Sequence, residues 1–321
     1  MQADMKTSRP PRSVRNWCDW GIRELKSCSD TAWLDTELLL AFVRGCERAE
    51  LLFHESDVLS ISQVDQFQKL IDQRAEGCPV AYLLGTQDFW SLTLHVAPGV
   101  LIPRPETEGV VEAALHMIRQ SGFRNPDTPL RIVEFGTGSA AIPLALCSEV
   151  TDLRIVTVEK YAEALEIAKQ NLHHHDSLLA LRNNSITLLE GDGLEGLADE
   201  GEWDLLVSNP PYVAEGDDTL APGVRCFEPE LALFAGVDGL DCIRLLLKES
   251  LRLLRPEGRL ICEIGAGQGE AVRVLLTEIP ELEFEVLHRD LQGHERVLQV
   301  RRLAGMVHSC DSVETLRGLQ I

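Results

Sequence analysis

Paired cysteines are missing from this sequence: the nine cysteines stand singly, none in a Cys-x-x-Cys pair, and their number is odd. That pattern excludes a disulfide framework and a zinc ribbon, and fits reduced thiols in a cytosol. Long apolar runs are missing too, so no helical membrane span and no membrane partner is expected. The first residues carry Lys6, Arg9, Arg12 and Arg15 without an apolar core, and Asp4 among them gives a transit peptide little support. A cytoplasmic location is therefore expected. Basic residues are scarce: 30 Lys and Arg stand against 51 Asp and Glu, for a net charge of −21. Residues 1–85 hold 10 basic and 13 acidic side chains, so most of the excess lies in the remainder. Such a surface repels phosphate backbones and has no basic footprint, which argues against a nucleic-acid partner. A solvated acidic face explains the excess without any partner.

What is present is an ordinary globular composition, 45% hydrophobic and 25% charged over 321 residues, long enough for two domains. The most informative stretch is Asn209-Pro210-Pro211-Tyr212, which follows the apolar run Asp204–Ser208. Two prolines cannot continue a central strand, since each lacks an N–H and fixes φ near −65°. The backbone must leave the sheet there with stiff, undonated carbonyls. The Asn209 side-chain oxygen and the Pro210 carbonyl make a rigid pair of acceptors suited to a planar –NH₂, and Tyr212 adds an aromatic face. By itself a motif this short also fits a plain strand exit.

Residues 1–85 read as a small helical domain. Leu34, Leu38, Ala41 and Phe42 share one helical face, with Gly45 as a stop. Ser62 and Asp65 resemble a capping box, ahead of an apolar face of Val64, Phe67, Leu70 and Ile71 that ends at Gly77. Nothing in this domain does chemistry, and substrate positioning or plain scaffold are the two readings. Residues 86–105 read as a β-hairpin connector, with Leu92–Val96 alternating as a strand should. Glu106 and Glu108 precede a helix carrying Val110, Val111, Ala114, Leu115 and Ile118, and acids in a first helical turn need no further explanation.

From Leu130 strands and helices alternate, the mark of a doubly wound α/β sheet. The strand Arg131–Phe135 enters the turn Gly136-Thr137-Gly138-Ser139-Ala140, where glycines admit a ligand close to the backbone. The next strand ends in Glu159, placed to accept ribose hydroxyls, and a third leads to Gly191-Asp192-Gly193, which can meet an adenine edge. The turn has no Lys-Ser/Thr pair to hold phosphates, so a nucleoside triphosphate is not expected. An acidic nucleoside site without phosphate contacts suits S-adenosylmethionine. The loop Val213–Ala235 is long enough to act as a lid over the acceptor. The run His173-His174-His175 has no acidic or cysteine partners at metal spacing and reads as a solvated helix end.

The stretches QRAEGCPVAYLLG (73–85), VLIPRPETE (100–108), VEFGTGSAAIPLAL (133–146), SNPPY (208–212), FEPELALFAGVDGLD (227–241), RLICEIGAGQGEAV (259–272) and DLQGHERV (290–297) resemble the release factor glutamine methyltransferases, the HemK/PrmC family. The resemblance runs from about Leu34 to about Leu303. It implies a class I (Rossmann-like) methyltransferase sheet of seven strands over 106–303 behind a helical amino-terminal domain, with a tail at 304–321 outside the match. It also implies that Gly136, Thr137, Gly138, Ser139, Ala140, Glu159, Asp192, Gly193 and Asn209 contact S-adenosyl-L-methionine, with S-adenosyl-L-homocysteine as product and no metal. Asn209, Pro210, Pro211 and Tyr212 then hold the substrate glutamine in the Gly-Gly-Gln loop of a class I peptide chain release factor, and a monomer is expected. Three departures are visible: Ala140 replaces a usual third glycine, Pro143 enters the early helix at the loss of a hydrogen bond, and Gly193 replaces a usual tryptophan. Asn-Pro-Pro-Tyr is shared with adenine methyltransferases, so adenine-N6 methylation is one alternative. Glutamine methylation of a ribosomal protein and a non-catalytic release-factor adaptor are the others.

Overall fold

Alternating Ile, Val and Leu positions build the central sheet, because each strand must feed two cores at once. In β3 (Leu130–Phe135) Ile132 enters one apolar cluster and Val133 the opposite one, and both are fully buried. This period-two division is what a sheet covered by helices on both faces requires. The computed structural model describes residues 13–304 except 121, 124, 126, 198–201, 219 and 221. Lys6, Arg9 and Arg12, and the tail beyond Ala304, lie outside the described residues.

The amino-terminal domain comprises α1 (Val14–Leu25), α2 (Ala32–Arg44), α3 (Ile61–Ala75) and the short α4 (Val80–Leu84). Helix α1 was not foreseen: its buried stripe is Val14, Trp17, Gly21 and Leu25, and a glycine within the stripe hides the periodicity. The face expected of α2 is displaced. Thr36, Leu39, Leu40, Ala41 and Val43 are buried, whereas Phe42 is 46% exposed. The capping box of α3 belongs to Ser60 and Gln63, not Ser62 and Asp65: Ser60 Oγ accepts from the Gln63 N–H (3.3 Å) and Gln63 Oε1 from the Ser60 N–H (3.0 Å). Val64, Phe67, Leu70 and Ile71 are buried as expected, and Gly45 closes α2 at φ +67°.

The hairpin β1 (Thr86–Phe89) and β2 (Leu92–His95) leads to α5 (Glu108–Arg119), and then to β3. After β3 come α6 (Ala141–Glu149), β4 (Leu153–Glu159), α7 (Ala162–His174), α8 (Asp176–Leu181), β5 (Ser185–Glu190) and β6 (Trp203–Ser208). The chain continues through α9 (Pro222–Phe227), α10 (Asp241–Leu253), β7 (Leu254–Glu263), α11 (Gly269–Thr277), β8 (Leu282–Arg289) and β9 (Glu295–Arg302). Among the described residues the main sheet has seven strands in the order β5-β4-β3-β6-β7-β9-β8. Strands β5 to β7 are parallel, and β9 runs antiparallel to both β7 and β8. Chain order reverses between β3 and β6, and a ligand crevice opens at the carboxyl ends of strands at such a point.

Two local expectations are corrected. Pro143 is the third residue of α6, where an N–H has no intrahelical acceptor, so it removes no hydrogen bond from the ladder. The segment 213–235 is not an open loop, for it contains α9 and a 3₁₀ turn at Glu230–Ala232. The histidine run ends α7 and leans on the hairpin: the His174 ring packs edge-on against His95 (5.3 Å), and His175 Nε2 lies 3.1 Å from the Thr93 carbonyl.

The exit from β6 is pinned from behind by Gly239, whose φ is +73°. A Cβ there would stand 2.4 Å from the Tyr212 carbonyl oxygen and 3.0 Å from the Ala214 nitrogen, both backbone atoms that cannot yield cheaply. Gly216 has a similar φ of +82° but meets nothing within 4 Å. Gly216→Ala should therefore show backbone strain alone, about 1–2 kcal/mol. Gly239→Ala should exceed it by a further ~1–3 kcal/mol of overpacking in urea unfolding, and equal losses would refute the steric account.

Candidate active site

The carboxyl ends of β3, β4, β5 and β6 surround a cavity of about 350 Å³. Gly136, Thr137, Gly138 and Ser139 form its floor, Glu159 one wall, and Gly191, Asp192 and Gly193 the rim. Asn209 and Pro211 close the side toward β6. Ala140 is not on the wall: it is fully buried behind it, in the left-handed region at φ +63°, as the residue that caps α6. An alanine there carries about 1–2 kcal/mol of strain that a glycine would avoid.

Glu159 has a structural task that its sequence position does not reveal. Its Oε2 accepts from the Gly138 N–H (2.9 Å), and its Oε1 from the N–H groups of Lys160 (2.9 Å) and Tyr161 (3.0 Å). The carboxylate thus holds the glycine turn while keeping acceptor capacity for a ligand hydroxyl. Beside it Glu134 is wholly buried, with Thr157 Oγ1 donating to its Oε2 (2.6 Å). Burial pushes the Glu134 carboxyl well above the usual range, and the nearby Glu159 charge adds to the rise. Lys160 is the lining cation, and its Nζ pairs with Asp192 at 2.9 Å. A cavity with three carboxylates, one engaged cation and apolar walls at Leu101, Ile142 and Val158 fits a nucleoside bearing a positive centre rather than phosphates. S-adenosylmethionine satisfies that description.

A second cavity, of about 510 Å³, lies across the β6 exit and is lined by Arg104, Glu106, Pro210, Tyr212, Val224 and Arg296, among others. Asn209 lines both cavities, so it stands in the partition between them. Of the four residues at the exit, Pro211 faces the first cavity, while Pro210 and Tyr212 face the second. Among the described residues no donor engages Asn209 Oδ1 or the Pro210 carbonyl oxygen.

The exit is braced on every side. Ser208 Oγ donates to the Phe135 carbonyl (2.7 Å), tying the end of β6 to the end of β3. Gln268 Nε2 donates to the Tyr212 carbonyl (3.0 Å) and to the Gly239 carbonyl (3.1 Å). Asn209 Nδ2 donates to Thr107 Oγ1 (2.8 Å), Thr107 Oγ1 donates to Glu263 Oε2 (2.6 Å), and Tyr212 Oη donates to Glu263 Oε1 (2.9 Å). Tyr212 therefore contributes a tethered hydroxyl as well as an aromatic face. Burial raises the Glu263 carboxyl above its usual range, against the lowering effect of the two hydroxyl donors and the Arg296 charge. The Tyr212 phenol is raised by burial and by the Glu263 charge. The segment 213–235 is anchored likewise: buried Glu228 pairs with Arg104 and accepts from the Ile102 N–H (3.2 Å).

Thr107, Glu134 and Glu263 were not singled out from the sequence. A carboxylate closing an otherwise apolar central strand, in Arg-Ile-Val-Glu and Leu-Ile-Cys-Glu, was the available signal for two of them. Thr107 lies between Glu106 and Glu108, acids that a helix start accounts for by itself.

Comparison with known proteins gives the family. The family model of the PrmC N-terminal domain matches residues 16–85, and that of the methyltransferase small domain matches residues 121–228. The release factor glutamine methyltransferase of Escherichia coli (strain K12) is 39% identical over 283 residues, 88% of this chain and 96% of that protein. The protein of the same name from Xylella fastidiosa (strain 9a5c) is 39% identical over 264 residues, 82% of this chain and 91% of that protein. Rhodopirellula baltica has another at 36% over 278 residues, 86% of this chain and 92% of that protein. Among solved structures, the hMettl16 catalytic domain in complex with a MAT2A 3′UTR hairpin superposes with a TM-score of 0.50 at 15% identity, over 73% of this chain and 80% of that one, a likeness of fold alone. On the extent of these matches, the chain belongs to the release factor glutamine methyltransferase family.

Proposed function

We propose that this enzyme methylates the side-chain amide nitrogen of the glutamine in the Gly-Gly-Gln loop of class I peptide chain release factors, using S-adenosylmethionine. The observation that carries the reading is the partition: one asparagine borders both the cavity at the glycine turn and the cavity opposite, and among the described residues no donor engages its oxygen. Gly136–Ser139, Glu159 and Gly193 would hold the cofactor, with Asp192 at its rim, and Pro210, Pro211 and Tyr212 would shape the acceptor side. When bound, the cofactor supplies a methyl group on a positive sulfur, which departs as a neutral thioether.

The chain's own residues have to make an amide nitrogen reactive, although its lone pair is delocalised into the carbonyl. Asn209 Oδ1 and the Pro210 carbonyl accept the two amide hydrogens and fix the plane of the –NH₂. Such orientation lowers a barrier by about 7–11 kcal/mol at best. As the nitrogen gains the methyl and a positive charge, the same oxygens stabilise it electrostatically. One proton then leaves to solvent, and no dedicated base is demanded. We assign residues 1–85 to substrate positioning, because the amino-terminal domain touches the lid: a Cβ on Gly223 of α9 would stand 3.1 Å from the Gly77 carbonyl.

Radiolabelled cofactor with purified release factor tests the reading directly, with a Gln-to-Ala release factor and plain DNA as competing acceptors. Label should appear on the intact release factor alone; label on DNA would favour the adenine alternative. Asn209→Ala should lower turnover by about 10²-fold or more while cofactor binding persists, and near-normal turnover would remove Asn209 from the mechanism.

Glu134 generates a second test. Its carboxyl is raised, so the fraction ionised in the free enzyme grows as pH rises through its folded value, and an ionised carboxylate favours a cationic ligand. Cofactor affinity measured by calorimetry should therefore increase with pH, and Glu134→Gln should flatten that dependence. An unchanged pH profile in Glu134→Gln would place the titration elsewhere.

A further inference from the structure

The partition asparagine is useful only one way round. With its oxygen toward the acceptor it takes an amide hydrogen, and with its –NH₂ there it would repel one. We propose that Glu263, acting through Thr107, sets the direction of the Asn209 carboxamide and so keeps its oxygen facing the acceptor; this rests on the glutamine reading above.

The argument is one of counting donors. A carboxylate accepts only, and two hydroxyls meet Glu263, one from Thr107 on Oε2 and one from Tyr212 on Oε1. Thr107 has a single proton, and it is spent on Glu263. Its oxygen must then accept, so Asn209 can satisfy it only with Nδ2, as found at 2.8 Å. Oδ1 is left for the acceptor side. Thr107 and Glu263 are both buried, so water does not compete for these bonds. Each partner comes from a different segment: the loop before α5, the end of β6 and the end of β7. Thr107 borders the cofactor cavity beside Asn209, whereas Glu263 lines neither cavity, and both act here by positioning Asn209.

Losing the negative charge reverses the relay. A protonated Glu263, or a glutamine in its place, can donate to Thr107, whose proton then turns to Asn209 and draws Oδ1 inward. The charged and titratable groups around Glu263 are Tyr212 after β6, Arg296 on β9, Glu106 on the loop before α5 and Cys262 on its own strand, with Arg104 acting on Tyr212. Because the folded carboxyl lies above its ordinary range, turnover should be full at high pH and fall as pH drops through that value.

The test measures kcat, KM and cofactor affinity for Thr107→Val, Thr107→Ser and Glu263→Gln with intact release factor. Thr107→Val and Glu263→Gln should lower kcat about 10- to 100-fold, with an unchanged circular dichroism spectrum and unfolding midpoint as evidence of an intact fold. Thr107→Ser, which keeps the hydroxyl, should recover most of the rate. Glu263→Gln should also lose the acid limb of the wild-type pH profile, which a merely structural role would not move. If Thr107→Val and Glu263→Gln keep wild-type kcat while Asn209→Ala is inactive, the relay is refuted and the glutamine reading stands. Failure of the wild-type enzyme to label release factor would instead overturn the reading itself.

Discussion

Two prolines in succession at the end of a central strand impose the constraint from which the site follows. Neither can donate to a neighbouring strand, so β6 stops at Ser208, and among the described residues the Pro210 carbonyl oxygen accepts no hydrogen bond. A stiff exit would still be useless if the side chain before it could rotate. Here the asparagine is held through Thr107 on one buried carboxylate, Glu263, which also takes the Tyr212 hydroxyl. Rigidity of the backbone and direction of the side chain thus come from different parts of the sequence, and both are needed to present two acceptors at fixed positions.

The doubly wound sheet explains why these parts meet. The reversal between β3 and β6 opens the crevice, β3 brings the glycine turn, and β7 brings Glu263 alongside Tyr212. The segment Pro103–Glu108 crosses the top of this arrangement as a clasp. Thr107 bonds Asn209 at the partition, Arg104 pairs with Glu228 in the segment 213–235, and Glu108 accepts from the Trp90 N–H of the hairpin (2.7 Å). One short segment therefore couples the exit from β6, the segment 213–235 and the hairpin.

Much of this was legible in the sequence because its signals are local. Glycines before a helix, an acid ending a strand, and Asn-Pro-Pro-Tyr after an apolar run each have a physical reading that needs no tertiary knowledge. The sheet strands were legible for the same reason, since buried parallel strands are continuous apolar runs. What escaped depends on partners distant in sequence. Thr107 and Asn209 are separated by 102 positions, and Thr107 and Glu263 by 156, so no spacing rule connects them. Helix α1 escaped because Gly21 fills a buried position against Thr36, Phe67 and Ile71, where periodicity rules look for a large apolar residue. The capping box was misplaced by two residues because Ser60 and Ser62 both satisfy the local pattern, and only the Gln63 side chain decides between them.

Where two oxygens point would be read from a crystal structure of the enzyme with S-adenosylhomocysteine and its release factor bound. The substrate glutamine nitrogen should lie within about 3 Å of both Asn209 Oδ1 and the Pro210 carbonyl, with the Asn209 –NH₂ still on Thr107. A glutamine nitrogen outside hydrogen-bond reach of that pair, or an Asn209 turned to present its –NH₂, would contradict it.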